Sequence, residues 1–311
     1  MKIVVAGGTG FLGSPLCEGW AEDGHDVRVL TRSLAEGQSQ HDSGTGVPGI
    51  TRVGWQPDGS PGCLAAGLDG SDAVINLAGT SIGDSRWTAT RRRAIRESRL
   101  LATRSLAAAI AATTMPPSVF VSGSAVGYYG DRKDEVVTEA SPPGHDFLAD
   151  VCVGWEAEAQ RAARPGVRIV LLRTGIVLER SGGPLPRMAR PFRFFVGGRL
   201  GSGRQYFSWI HRLDWIEMVR WVVESPDVNG PVNATAPEPV TNAHLARALG
   251  HALHRPALLP APAFAIRIVL GGMAESVLTG QRVKPARALA DNFHFRYPEI
   301  EIALRGIYEN T

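Results

Sequence analysis

The chain has 311 residues, 44% of them hydrophobic and 20% charged, with a formal net charge of +3 and a mean hydropathy near zero. That is enough apolar material for one large or two modest folded units, and it excludes a disordered polyelectrolyte; the small, dispersed positive excess gives no footprint for nucleic acid. Arginine outnumbers lysine 30 to three (Lys2, Lys133 and Lys284), and the three cysteines (Cys17, Cys63, Cys152) form no CxxC pair, which fits a reducing compartment with neither a disulfide framework nor a zinc site.

The pattern predicts a buried strand at 2–6 (KIVVA), a helix over 11–23, a second strand at 26–31 (DVRVLT) and a surface loop over the Ser-, Gly- and Gln-rich 33–50. A third short strand is expected at 51–55, a short helix near 61–67, a fourth strand at 72–79 (DAVINLAG) and a long Arg-rich helix over roughly 86–113. A fifth strand at 118–124, a helix over 146–164 and a sixth strand at 167–175 follow. Strands that are nearly continuous apolar runs, alternating with helices, predict an α/β fold: a Rossmann-type, doubly wound parallel sheet covered on both faces. Past residue 180 Gly and Pro become frequent, and helices are expected at 213–224, 241–254, 262–279 and 285–291. The expected division is a nucleotide-binding Rossmann domain over 1–178 and a smaller, mainly substrate-binding C-terminal region over 179–311, with elements at about 205–235 returning to the core. The chain opens directly on a strand, so no signal peptide is expected. The apolar stretch PAFAIRIVLGGMA (262–274) is short and interrupted by Arg267, and reads as a buried helix rather than a membrane span. A cytoplasmic monomer or homodimer, without a membrane or nucleic-acid partner, is the expectation.

The most informative stretch is VAGGTGFLG (5–13), where Gly7, Gly10 and Gly13 have the spacing GxxGxxG between a strand and a helix. In that context Gly7 permits the tight turn, Gly10 lets the backbone approach a pyrophosphate, and Gly13 lets the helix pack close to the sheet, with the helix N-terminus supplying free N–H groups. An acidic residue at the tip of the second strand would hold a ribose 2′-OH. This tip carries Thr31, Arg32 and Ser33 instead, and a guanidinium at position 32 suits a 2′-phosphate, so NADP(H) is the expected cofactor.

The segments GGTGFLG, NLAG (76–79), SGSAVGYYG (122–130) and WIHRLDW (209–215) together resemble the extended short-chain dehydrogenase/reductase superfamily. FLADVCVGWEAEA, LRTGIVLERSGG, GGRLGSGRQYFSWIH and GQRVKPARAL narrow the likeness to its atypical, sugar-nucleotide-epimerase-like subgroup often labelled "epimerase family protein", along essentially the whole chain. The resemblance implies a Rossmann fold with bound NADP(H). The expected cofactor-binding set is then Gly7, Thr9, Gly10, Phe11, Leu12, Arg32, Ala78, Gly79, Thr80, Ser122, Gly175 and Ile176. One departure stands out: ordinary members of the superfamily carry Tyr-x-x-x-Lys on the helix after the fifth strand, where the lysine lowers the pKa of a proton-exchanging tyrosine. Here DFLADVCVGWEAEAQRAAR holds neither residue type. The literal match Tyr129-Gly-Asp-Arg-Lys133 falls in a loop, where that spacing stacks nothing.

Ser124 stands where the superfamily keeps a substrate-orienting hydroxyl, and Tyr128 is the candidate acid, a poor base at its ordinary pKa without a lysine. Asp214 is expected as a cap or a near-terminal charge of the helix that follows His211. His211, Arg204, Gln205, Gln281 and Arg282 are candidates to hold an anionic or polyhydroxy small-molecule substrate, and no metal-ligand cluster is present. Three functions remain open: an NADP(H)-dependent oxidoreductase or epimerase-like enzyme working reductively, an NADP(H)-binding redox sensor or scaffold without turnover, and an enzyme that uses the fold for non-redox chemistry with the nucleotide structural or absent.

Overall fold

Successive side chains of a strand point to opposite faces, so Ile3 and Val5 of the first strand serve one core and Val4 and Ala6 the other. The computed structural model describes residues 1–32, 41–42 and 48–309, so the expected 33–50 loop lies largely outside the described residues. The first half of the chain runs β1 (Lys2–Ala6), α1 (Gly13–Glu22), β2 (Asp26–Thr31), β3 (His41–Asp42), β4 (Ile50–Gly54), α2 (Leu64–Leu68), β5 (Ala73–Asn76), α3 (Ala89–Ala112), β6 (Val119–Ala125), β7 (Val136–Val137), α4 (Phe147–Gln160) and β8 (Arg168–Thr174). The second half runs β9 (Ile176–Leu178), α5 (Leu185–Arg193), β10 (Tyr206–Phe207), β11 (Trp209–His211), α6 (Arg212–Glu224), β12 (Gly230–Ala234), β13 (Val240–Thr241), α7 (Asn242–Ala252), α8 (Ala263–Leu270), α9 (Glu275–Leu278), β14 (Arg282–Val283), α10 (Ala286–Ala290) and α11 (Ile300–Glu309).

The main sheet has the order β12-β8-β6-β5-β1-β2-β4-β3, with β3 antiparallel to β4 and the other seven strands parallel. It is the doubly wound α/β architecture expected. From β1 the chain moves outward through β2 to β4, then returns to β5 on the other side and moves outward through β6, β8 and β12. The strand order therefore reverses between β1 and β5, which opens a crevice at the carboxyl ends of those two strands.

Leu16 and Trp20 of α1 and Trp215 and Val219 of α6 cover one face with Ile3 and Val5. Leu106 and Ile110 of α3 cover the other with Val4 and Phe120. Each such side chain contributes about 1.5–3 kcal/mol of burial. A third cluster joins Leu185, Trp209, Leu245, Leu249, Ile300 and Leu304 and gives the C-terminal helices their own core.

Several boundaries shift for physical reasons. The strand expected at 72–79 ends at Asn76, because its last residues turn out to form the lip of the crevice. Helix α5, in a Gly- and Pro-rich segment, and helix α11, at Ile300–Glu309, were not among the expected helices. The helix expected over 262–279 is broken: α8 stops at Leu270, Gly271 takes φ +57°, a 3-10 turn follows, and α9 is a separate short helix. Nor is α8 buried as expected. Among its residues only Ile266 is buried, while Phe264, Ile268 and Val269 face solvent, because no other described element covers that side. No helix among the described residues is long and apolar enough to cross a membrane.

Candidate functional site

The glycine loop sits at the carboxyl end of β1, at the edge of the crevice. Gly7 takes φ +82°, and a Cβ there would lie 2.7 Å from the Leu77 carbonyl carbon, so a side chain is excluded on both counts. A Cβ on Gly13 would lie 2.2 Å from the Gly7 oxygen, so the first turn of α1 packs directly on the loop. Gly10 differs. A Cβ there would meet only the Gly7 oxygen, at 3.2 Å, and otherwise enters open space. The Gly10 N–H donates to Gly7 O, whereas the N–H groups of Phe11 and Leu12 have no acceptor among the described residues, and Leu12 at the N-cap offers no side-chain cap. An open space in front of unpaired N–H groups at a helix N-terminus has the shape and polarity of a phosphate cradle, so the loop fits a dinucleotide.

The other expected cofactor residues frame the same crevice. Thr9 and Gly10 are exposed on the loop, and the Phe11 ring packs on the backbone of Gly182 and Gly183. Arg32 stands exposed just beyond the end of β2. Ala78, Gly79 and Thr80 follow β5: Ala78 N–H donates to Asn76 Oδ1, and Thr80 N–H donates to Ser98 Oγ. Ser122 is buried in β6. Gly175 and Ile176 link β8 to β9, and a Cβ on Gly175 would lie 2.7 Å from Ser208 O. One neighbour escaped the sequence reading. Arg99 of α3 lies against Gly79, donates to Thr80 O and Ile95 O (3.0 Å each), and stacks its guanidinium 5.1 Å from the Trp155 ring. Burial lowers its pKa from the usual arginine value.

Behind the crevice lies a buried polar network built by sheet register. In the β6–β8 ladder Ser124 pairs with Arg173, and α4 packs Glu156 over both. Ser124 Oγ donates to Glu156 Oε1 at 2.7 Å. Arg173 donates to both carboxylate oxygens of Glu156, at 2.8 and 2.9 Å, a forked pair with both residues almost fully buried. Burial pulls the Arg173 pKa down, but its bonds to Glu156 outweigh this and the net shift is upward. Arg173 also donates to Tyr129 Oη at 3.0 Å, and Tyr129 donates to Asn233 Oδ1 at 2.6 Å. Burial pushes the Tyr129 phenol up to about 12. Its literal partner Lys133 is exposed in the following loop, so the Tyr129–Lys133 spacing assembles nothing.

The Tyr128 ring lies 3.5 Å from the Arg173 guanidinium and edge-on to Tyr129; it is half-buried, and its hydroxyl has no hydrogen-bond partner among the described residues. On α4 the thiol of Cys152, in contact with Ser124, is pushed by burial up to about 12 and stays neutral. The helix that carries tyrosine and lysine in ordinary superfamily members therefore supplies no base here.

Of the expected substrate residues, Gln205, Gln281 and Arg282 lie on adjoining C-terminal segments, and Gln281 reaches the turn that carries Tyr128. Gln281 Nε2 donates to Val126 O, the Arg282 guanidinium stacks on Tyr206, and Gln205 Nε2 donates to Leu200 O and Val277 O. Gln205 Oε1 and Arg282 Nε are buried without a partner among the described residues. Arg204 is exposed one residue away. His211 is elsewhere: its Nδ1 accepts the Leu213 N–H and caps α6, and its ring stacks on Tyr297 at 3.8 Å. The expected cap, Asp214, instead accepts N–H bonds from Arg296 and Tyr297 and ties down the C-terminal segment. Glu158 pairs with Arg104, a partner that the sequence did not reveal.

Burial lowers the His211 imidazole to about 4. The unfolded chain takes up this proton near pH 6.5, the folded one only near pH 4, so acid favours unfolding across that window and the stability held by the neutral ring is fully present above it. Stability should fall by about 2 kcal/mol between pH 7 and pH 5 through this group alone. His211→Asn, which can still cap, should flatten that slope in urea titrations; an unchanged slope would assign the proton elsewhere.

A family model for the NAD dependent epimerase/dehydratase family matches residues 3–234, and one for a domain of unknown function (DUF1731) matches 261–307. The chloroplastic "Epimerase family protein SDR39U1 homolog" of Arabidopsis thaliana is 40% identical over 311 residues, covering 99% of this chain and 87% of the relative. The crystal structure of human epimerase family protein SDR39U1 with NADPH superposes with a TM-score of 0.88 at 36% identity, over the whole of both chains. A nucleoside-diphosphate sugar epimerase from Corynebacterium glutamicum gives 0.78 at 32%, over 98% of this chain and 57% of that one.

Proposed function

The chain belongs to the NAD dependent epimerase/dehydratase family, and from that premise we propose that it is an NADP(H)-dependent oxidoreductase or epimerase-like enzyme acting on a small polar molecule in the reductive direction. The observation that carries this reading is the open space at Gly10, in front of the unpaired N–H groups of Phe11 and Leu12, with Arg32 at the tip of the neighbouring strand. The NADPH in the human relative supports the choice of nucleotide. In this reading residues 1–178 form the nucleotide-binding domain, and 179–311 mainly hold the substrate, with about 205–235 returning to the core. Gly7, Thr9, Gly10, Phe11 and Leu12 would hold the pyrophosphate, and Arg32 would pair with the 2′-phosphate. Ala78, Gly79, Thr80, Ser122, Gly175 and Ile176 line the rest of the nucleotide site.

The bound nucleotide supplies a hydride. Tyr128, half-buried and with its hydroxyl unpartnered among the described residues, gives a proton to the anion that develops on the substrate. Ser124 holds its own proton toward Glu156, so it offers the substrate lone pairs and orients it as an acceptor. Arg204, Gln205, Gln281 and Arg282 bind the polar remainder. Reduction needs only a weak acid, whereas oxidation of an alcohol at neutral pH needs an activated base, which α4 lacks. The same lack favours a second reading, a nucleotide-binding redox sensor or scaffold without turnover.

Titration with NADPH and NADH tests the proposal. NADPH should bind more tightly, and Arg32→Ala should remove about 1.5–3 kcal/mol of that preference. Tyr128→Phe should leave the affinity alone and slow NADPH oxidation by carbonyl, imine or enone compounds by roughly 10²–10⁴-fold. Equal binding of the two nucleotides by the wild type would end the NADP(H) assignment, and a protein that binds NADPH but oxidises it with no such compound would be the sensor.

A further inference from the structure

Two segments of the C-terminal half carry an unusual surface. Backbone hydrogen bonds from Leu259 to Gly197, Ala261 to Arg199 and Gly201 to Ala261 join 194–201 to 255–261, and α8 begins two residues later. From this ribbon and from the outer side of α8, large apolar side chains stand in solvent: Phe194 is 68% exposed, Leu258 80%, Phe264 68% and Ile268 68%. Phe264 and Ile268 are four apart and form a stripe on one side of the helix. Scattered exposed apolar residues are ordinary, but so many large ones on two hydrogen-bonded segments and the helix that follows them point to a contact surface.

The backbone adds a second observation. Phe195 takes φ +60°, a left-handed conformation that glycine adopts freely and a bulky side chain does not. Its ring is 58% exposed, with the Arg255 guanidinium 4.7 Å from its centroid. The strain is thus kept in a residue whose ring points largely to water, which calls for a role other than packing.

Charge decides what covers the surface. Segments 185–205 and 247–275 together contain eight arginines and one carboxylate, Glu275, in a chain whose 33 basic and 30 acidic residues nearly balance. Arg190, Arg193, Arg199 and Arg255 are exposed on the same segments, and Arg255 lies over the Phe195 ring. Two copies meeting face to face would set these arginines against each other, whereas an anionic surface complements them. We propose that this ribbon and α8 dock onto the headgroup–acyl boundary of a membrane carrying anionic lipid, the phenyl and aliphatic side chains entering the interface and the arginines pairing with lipid phosphates. The expectation of no membrane partner rested on the absence of a spanning segment, and peripheral docking needs none. The proposal does not depend on the nucleotide chemistry.

Sedimentation of the full chain with lipid vesicles tests it. The wild type should pellet with phosphatidylcholine vesicles that contain phosphatidylglycerol, far less with phosphatidylcholine alone, and should be released at high ionic strength. Each neutralised arginine near the surface is worth about a fivefold loss of partitioning, so Arg190→Gln with Arg193→Gln should weaken it about 25-fold. Phe264→Ser with Ile268→Ser should weaken binding to the same vesicles without changing the melting temperature. Phe195→Gly should relieve the backbone, hold or raise the melting temperature, and still weaken docking. If the wild type fails to pellet with the anionic vesicles, the proposal is overturned. It is equally overturned if the protein is a dimer that Phe264→Ser with Ile268→Ser turns into monomers while vesicle binding stays absent, since the surface would then belong to a second copy.

Discussion

Replacing Glu156 by alanine should destabilise the fold by about 3–5 kcal/mol, because it strands the Arg173 guanidinium in a site where the side chain is 4% exposed. The loss comes from the uncompensated charge more than from the bond itself. Arg173 would keep only Tyr129 Oη and Glu139 O as acceptors, and Ser124 would lose its own acceptor. Replacing both partners by apolar residues of similar volume, Glu156→Leu with Arg173→Met, should recover a large part of the loss, since no charge is then left buried. Urea unfolding with a constant slope measures both variants. A loss under about 1 kcal/mol for Glu156→Ala, the range of exposed pairs, would mean that water reaches Arg173 and that the network does not hold Ser124 in place.

Gly10→Val should weaken NADPH at least about a hundredfold, or roughly 2.7 kcal/mol, while the protein stays folded. The new side chain has room beside the loop, with only Gly7 O in contact, but it fills the space that a pyrophosphate needs. Gly13→Ala should do the reverse and act on stability first, since its Cβ would come within 2.2 Å of a backbone oxygen that cannot move without shifting β1 or α1. Nucleotide titration beside a thermal melt separates the two glycines. If Gly10→Val binds NADPH as the wild type does, the cradle lies elsewhere and the functional reading built on it falls.

The sequence by itself determined the frame. Apolar runs, helical segments between them and glycines at fixed offsets are local signals, and they placed ten of the strands and helices from β1 to β8 to within a few residues, along with the turn at Gly7 and the close packing at Gly13. Local signals also identified the absence of tyrosine and lysine on α4. What they could not supply was any partner decided by packing. Arg173 stands in the apolar run VRIVLLRTG, but its carboxylate partner lies on a separate helix and reaches it only because the β6–β8 register sets Ser124 opposite Arg173 and α4 crosses above both. His211, expected at the substrate, caps α6 instead, because a cap is chosen by which acceptor points at the free N–H, and Asp214 in the first turn was already taken by a segment more than 80 residues away. The sequence of α8 shows its apolar residues on more than one side, yet whether the second side meets another element depends on the whole chain's arrangement. Periodicity fixes which residues share a face; only the tertiary structure decides what that face meets.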